Sequence, residues 1–149
     1  MTLKVTLILA DHAQAVGGKL YISGGGWSLV GPEPTPTAIA MAIKVPWDQR
    51  EQEHAIRFDL VDSDGHPVLV PTPTGVQPLV IEGTFQIEGD IDQNVKPGMP
   101  LDAAFAINLG PMPIPPGGRY EWRLTLDGES HEDWRLPFST RSLPPAQAA

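Results

Sequence analysis

Apolar and polar positions alternate along most of this chain with a period of two. Leu3, Val5, Leu7 and Leu9 are interleaved with Lys4, Thr6 and Ile8, and Leu20-Tyr21-Ile22 follows Gly17-Gly18. Ile39, Met41, Ile43 and Val45 alternate with Ala40, Ala42 and Lys44, and Ile56, Phe58 and Leu60 with Arg57, Asp59 and Val61. Towards the carboxy terminus Tyr120, Trp122, Leu124 and Leu126 alternate with Glu121, Arg123, Thr125 and Asp127, followed by Trp134, Leu136 and Phe138. Such spacing turns one face of an extended chain to a core and the other outward, so each run predicts a half-buried strand. With the runs Leu79–Glu88 and Leu101–Leu109, roughly eight or nine strands are expected. No stretch keeps helical spacing for a dozen residues, and Trp47–Gln52 predicts one or two helical turns at most.

The segments between the runs say how the strands connect. Asp62-Ser63-Asp64-Gly65 and Asp127-Gly128-Glu129 are tight-turn sequences, in which Asp bonds its own backbone and Gly takes positive φ, and they predict hairpins. Three proline clusters, Pro32–Pro36, Pro71–Pro78 and Pro111–Pro116, lack the N–H groups of a central strand and predict loops that cross between sheets. Short strands, hairpins and longer crossovers together give the expected fold: an all-β, antiparallel sandwich with Greek-key-type connections and little or no helix. It is expected as a single domain over residues 1–141, with 142–149 as a flexible tail.

Composition then narrows the chemistry. The 149 residues include 17 Pro and 15 Gly, above ordinary usage, while 41% are hydrophobic, so the excess reads as turns rather than disorder. A chain of this length buries a core without a staple, and with no cysteine it has neither disulfides nor thiolate chemistry. The net charge of −8 and the lack of any Lys/Arg cluster argue against nucleic acid as a partner. Neither a leader nor an apolar run of about 18 residues is present, so a soluble, cytoplasmic chain without membrane contact is expected.

The glycine-rich stretch Gly24-Gly25-Gly26-Trp27 invites a phosphate or oxyanion site, and each version fails at a named position. Gly18-Lys19 is followed by Leu20 rather than Ser or Thr, and Leu29 stands where a dinucleotide fingerprint needs its third glycine. No Gly-x-Ser-x-Gly elbow exists. A bulge or bend in the strand is the better reading. His12, His54, His66 and His131 have no metal-motif spacing, and Asp62-x-Asp64-Gly65 reaches its glycine too early for a calcium loop. No catalytic residue, cofactor or metal is therefore assigned.

Side-chain parity separates the tryptophans. Trp122 and Trp134 share the core-facing parity, whereas Trp27 and Trp47 lie at strand ends, where each could be a lid over the core or an exposed anchor. Ala40, Ala42, Ala104 and Ala106 oppose the core-facing positions of their strands, where charge and Thr are usual. If the two strands are neighbours, they form a smooth, weakly apolar outer face suited to another sheet or subunit, or covered by the chain's own loops. Ala40, Ala42, Ala104, Ala106, Trp27 and Trp47 are thus the candidate interaction surface.

The combination of Ala10-Asp11-His12-Ala13, Gly18-Lys19-Leu20-Tyr21-Ile22, Gly24-Gly25-Gly26-Trp27, Val45-Pro46-Trp47-Asp48, Asp62-Ser63-Asp64-Gly65 and Pro115–Arg123 resembles an uncharacterised family of small bacterial, mostly actinobacterial, proteins. The resemblance runs to about Arg141 and implies a stand-alone β-sandwich; it brings no activity, cofactor or catalytic residue with it. The reading is a non-catalytic protein acting by protein–protein contact or self-association, as an accessory or assembly component, of which a phage-derived assembly is one version. The alternative is a carbohydrate- or small-molecule-binding module, for which Trp27 or Trp47 on a concave face would be the mark.

Overall fold

The computed structural model describes residues 3–87 and 91–144. Eleven strands and one 3-10 turn, Trp47–Gln49, are found there: β1 Lys4–Val16, β2 Lys19–Gly25, β3 Leu29–Val30, β4 Thr37–Val45, β5 His54–Asp62, β6 Leu69–Thr72, β7 Gly75–Pro78, β8 Val80–Phe85, β9 Leu101–Leu109, β10 Arg119–Leu126 and β11 Glu129–Thr140. One sheet has the order β2-β1-β4-β9 and the other β3-β11-β10-β5-β8, and β6-β7 forms a small third sheet. Every pairing is antiparallel except β3 with β11. The chain passes repeatedly between the two large sheets, so the all-β sandwich expected from the period-two pattern is the observed fold.

The inward sides of the two sheets build one core. Ile39, Met41, Ile43 and Val45 face Phe58, Leu60, Trp122, Leu124 and Leu126, all fully buried. Phe58 and Trp122 meet edge to face at 6.4 Å. Trp134 and Phe138 of β11 complete the cluster, as their parity predicts.

Three departures from the sequence-based expectation have local causes. First, β1 does not stop near Leu9 but runs on through Asp11-His12 to Val16, because its second half gains a new partner in β2. Second, Pro71–Pro78 is the β6-β7 hairpin rather than a crossing loop. A two-stranded ribbon leaves one side of each strand to solvent, so proline is tolerated where a central strand would exclude it. Pro32–Pro36 and Pro111–Pro116 do cross between the sheets. Third, β3 is a two-residue strand too short to show periodicity. The expected strand at Leu79–Glu88 is β8, with Glu88 outside the described residues, as is 145–149 of the expected tail.

The turns follow their residues. Asp127 and Gly128 have φ of 51° and 78°, the left-handed pair that a tight hairpin between β10 and β11 requires. Asp127 also ties the turn to its neighbours: Oδ1 accepts the Ala55 N–H at 2.8 Å, and His54 Nδ1 donates to Oδ2 at 2.7 Å. His54 is wholly buried, with its Nε2 3.2 Å from the Gln49 carbonyl oxygen and its ring stacked on Phe85.

At the other end, Pro115–Tyr120 closes the connection into β10. The Tyr120 hydroxyl donates to the Pro115 carbonyl at 2.8 Å, and the Thr140 hydroxyl donates to the same oxygen at 2.9 Å. A tyrosine at the start of a strand, bonded a few residues upstream, is a recurrent corner in sandwich folds. Burial pushes the Tyr120 phenol above its ordinary value, which favours the protonated, donating form.

Candidate functional site

The glycine stretch that looked like a ligand loop is a backbone device. Gly24 and Gly26 have φ of 62° and 91°, and the Gly26 N–H donates to the Leu9 carbonyl at 2.7 Å. A Cβ at Gly24 would lie 2.2 Å from Asp11 Oδ2, and one at Gly25 2.6 Å from Ile22 Cγ2. At Gly24 the space is taken by Asp11 of β1, and at Gly25 by Ile22 three residues back in β2 itself, so the glycines let β2 bend where it lies against β1. Gly25→Val is expected to lower unfolding free energy by about 1–3 kcal/mol through overpacking. Denaturant titration checks this, and an unchanged midpoint would refute the assignment.

The bend carries the β1-β2 hairpin over the outer face of its own sheet. Leu20 packs on Ala10, Ala13, Ala38 and Ala40, with Ile8 and Ala106 beside them. Asn108 of β9 locks the arrangement by accepting the Ala13 N–H at 3.1 Å and donating its amide to the Ala13 carbonyl at 2.7 Å. Alanines occupy this face because a second layer of chain passes directly above it.

The four alanines named from the sequence are cross-strand neighbours, Ala40 opposite Ala106 and Ala42 opposite Ala104. Their surroundings differ. Ala40 is 1% exposed beneath the hairpin and Ala106 packs beside it, so this half of the expected outer face is closed by the chain itself. Ala42 and Ala104 are half-buried and form the floor of an open cleft of about 970 Å³. Leu20 and Gly18 of the hairpin, Thr6 opposite Ala42, the Lys44–Asp102 ion pair, and Trp134 and His131 of β11 also line it.

Lys4 also lines the cleft, and two pairs of charged groups are matched within it. Lys44 sits directly opposite Asp102 and pairs with it. His131 Nδ1 accepts the Asp133 N–H at 3.1 Å and lies 3.6 Å from the Asp133 carboxylate. What the cleft offers is a smooth apolar floor with a polar rim, the pattern of a binding surface.

Neither Trp27 nor Trp47 lines the cleft. Trp27 packs on the core, edge-on to Phe138 at 6.1 Å. Over the Trp47 ring, the Arg50 guanidinium lies 4.3 Å from the centroid, and it donates to the Trp47 carbonyl at 2.7 Å. Covering by the chain itself was one of the two outcomes open from the sequence; that the β1-β2 hairpin supplies it was not legible, the nearest signal being Ala10 and Ala13 of β1 shortly before Leu20 of β2.

Asp62, Asp64 and His66 bring potential ligand atoms within 4.8 Å of one another. Their arrangement is already explained by the turn: Asp62 Oδ1 accepts the N–H groups of Asp64 at 2.9 Å and His66 at 3.0 Å. The His66 backbone bond leads the effects that hold the Asp62 carboxyl below its ordinary range.

Fold and site together define a two-sheet antiparallel β-sandwich whose first hairpin folds over one sheet and leaves an alanine-floored cleft at its end. The chain belongs to a family of unknown function, DUF6941, whose profile matches residues 5–139. No curated protein and no solved structure matches it. Among the described residues no helix is long and apolar enough to cross a membrane.

Proposed function

We propose that this protein is a non-catalytic component of a larger assembly, and that it binds a protein partner in the cleft floored by Ala42 and Ala104. The observation that supports the reading most is the floor itself: two small apolar side chains, directly opposed, at the one end of the face that the β1-β2 hairpin leaves open. Lys44–Asp102 and His131–Asp133 are engaged with each other, which suits a rim that orients a partner better than a site that moves protons. A bacterial, mainly actinobacterial source and a cytoplasmic setting belong to the same reading, as does a phage-derived assembly.

Ala42→Glu with Ala104→Glu places two carboxylates opposite each other on the floor. Partner capture from cells of the source organism should fall at least tenfold, about 1.4 kcal/mol, with the circular dichroism spectrum unchanged. A partner identified by mass spectrometry and retained equally by wild type and double variant would overturn the cleft as its seat. The second reading, a carbohydrate or small-molecule site, draws on the cleft's volume of about 970 Å³, at the upper end of the roughly 300–1,000 Å³ of such sites. Quenching of tryptophan fluorescence by sugars, with no protein captured, would favour it.

A further inference from the structure

Each large sheet ends in two edge strands, and three of the four carry ordinary protection against pairing with another chain. β2 begins at Lys19 and ends in two glycines, β3 is two residues long, and β8 carries Glu82 and Gly83. The fourth, β9, is nine residues long, Leu101-Asp-Ala-Ala-Phe-Ala-Ile-Asn-Leu109, with no Pro, Gly or Lys, and its single charge, Asp102 near one end, is neutralised by Lys44 of β4. β4 is its strand partner, and among the described residues no backbone group bonds its outer side. Phe105 and Ile107 pack against the core yet stay half-exposed there, as expected beside an open edge. A long, apolar, unprotected edge is a template for one more strand.

The sequence of β9 says which strand fits. Outward from Phe105 the residues match in pairs: Ala104 with Ala106, Ala103 with Ile107, Asp102 with Asn108, Leu101 with Leu109. An antiparallel copy centred on Phe105 therefore sets Leu on Leu, Ala on Ala and Phe on Phe. Asp102 meets an amide of Asn108 instead of its own carboxylate, so no like charges oppose. A two-fold contact needs such a self-complementary patch.

We propose that β9 pairs antiparallel with β9 of a second copy about a two-fold axis at Phe105, joining two four-stranded sheets into one continuous sheet. Asp102, Ala103 and Ala104 also line the cleft, so the pairing would bring two clefts onto one sheet face. The outer edge of β9 is open whether or not the cleft takes a partner.

The absence of cysteine makes a covalent test clean. Opposed residues of an antiparallel pair have Cα atoms about 4.5–5.5 Å apart, within the roughly 4.4–6.8 Å that a disulfide spans. Phe105→Cys should therefore give a covalent dimer on mild oxidation. Asp102→Cys, which the axis places about 20 Å from its own copy, should stay monomeric on the denaturing gel. Wild type should show twice the 16.1 kDa chain mass by light scattering. Alternate amides of Leu101–Leu109 should exchange at least about tenfold more slowly at high than at low concentration, a readout that requires no variant to fold. A wild-type mass of 16.1 kDa at every concentration, exchange at β9 independent of concentration, or cross-linking of Asp102→Cys as fast as Phe105→Cys would each overturn the proposal.

Discussion

Asp127→Ala is expected to lower the unfolding free energy by about 3 kcal/mol, a large effect for a residue on a hairpin turn. Three things are lost at once. The Ala55 N–H loses its acceptor at 2.8 Å, and the wholly buried His54 loses the carboxylate that receives its Nδ1 proton. The third loss is conformational: φ of 51° suits Asp and Asn but disfavours Ala by about 1 kcal/mol or more. The imidazole cannot turn to water, because it is stacked on Phe85 at 5.0 Å between ring centroids. Asp127→Asn keeps the left-handed residue and one oxygen, so it should recover about half of the loss. Urea titration of the three proteins decides: if Ala and Asn cost the same and each less than about 1 kcal/mol, the node has no role in stability.

Gly118→Ala should be comparably costly, about 3 kcal/mol, or roughly 6–12 °C in Tm for a chain of this size. A Cβ there would lie 2.4, 2.6 and 2.9 Å from the hydroxyl, Cζ and Cε2 atoms of Tyr120. That ring has little freedom: its hydroxyl is bonded to the Pro115 carbonyl and it packs against Phe138 at 5.7 Å. To admit one methyl group the ring must leave the corner, so overpacking and the lost hydrogen bond add. Tyr120→Phe alone should cost only about 1 kcal/mol, since Thr140 still donates to Pro115. In the Gly118→Ala, Tyr120→Phe double variant the closest atom is gone but Cζ still blocks the methyl, so scanning calorimetry should show partial rescue. Full stability of Gly118→Ala would show that the glycine is not there for the ring.

Both predictions concern residues whose types were legible and whose partners were not. Asp127-Gly128 reads as a hairpin turn from the chain alone, because the preference for positive φ is a property of those two residues. That its carboxylate also holds a histidine 73 positions away needs β5 and β10 to be neighbours, which local pattern does not encode. Pro115-Pro116-Gly117-Gly118 likewise announces a sharp connection, yet the need for glycine at 118 is set by a ring two residues on that turns back over the backbone. The parity of Trp122 and Trp134 placed them in the core directly, since alternation along one strand is all that argument requires.

The candidate site divides the same way. Small residues at Ala40, Ala42, Ala104 and Ala106 were visible as an anomaly on outward positions, and so was the glycine run beside them. The anomaly became a closed half and an open half only through the bend of β1-β2, which lays Leu20 on Ala40 and stops short of Ala42.

By itself, then, the sequence determined the all-β class, most of the strands, the tight turns, the inward faces and the absence of thiol chemistry. These follow from period-two alternation, backbone preferences of Gly, Asp and Pro, and composition, all of which act within a few residues. Strand order, the hairpin folded over its own sheet, the buried His54–Asp127 node and the unprotected edge of β9 were decided only in the tertiary structure. They depend on which distant segments share a sheet, and that choice is made by the combined burial of many side chains rather than by any one stretch of chain.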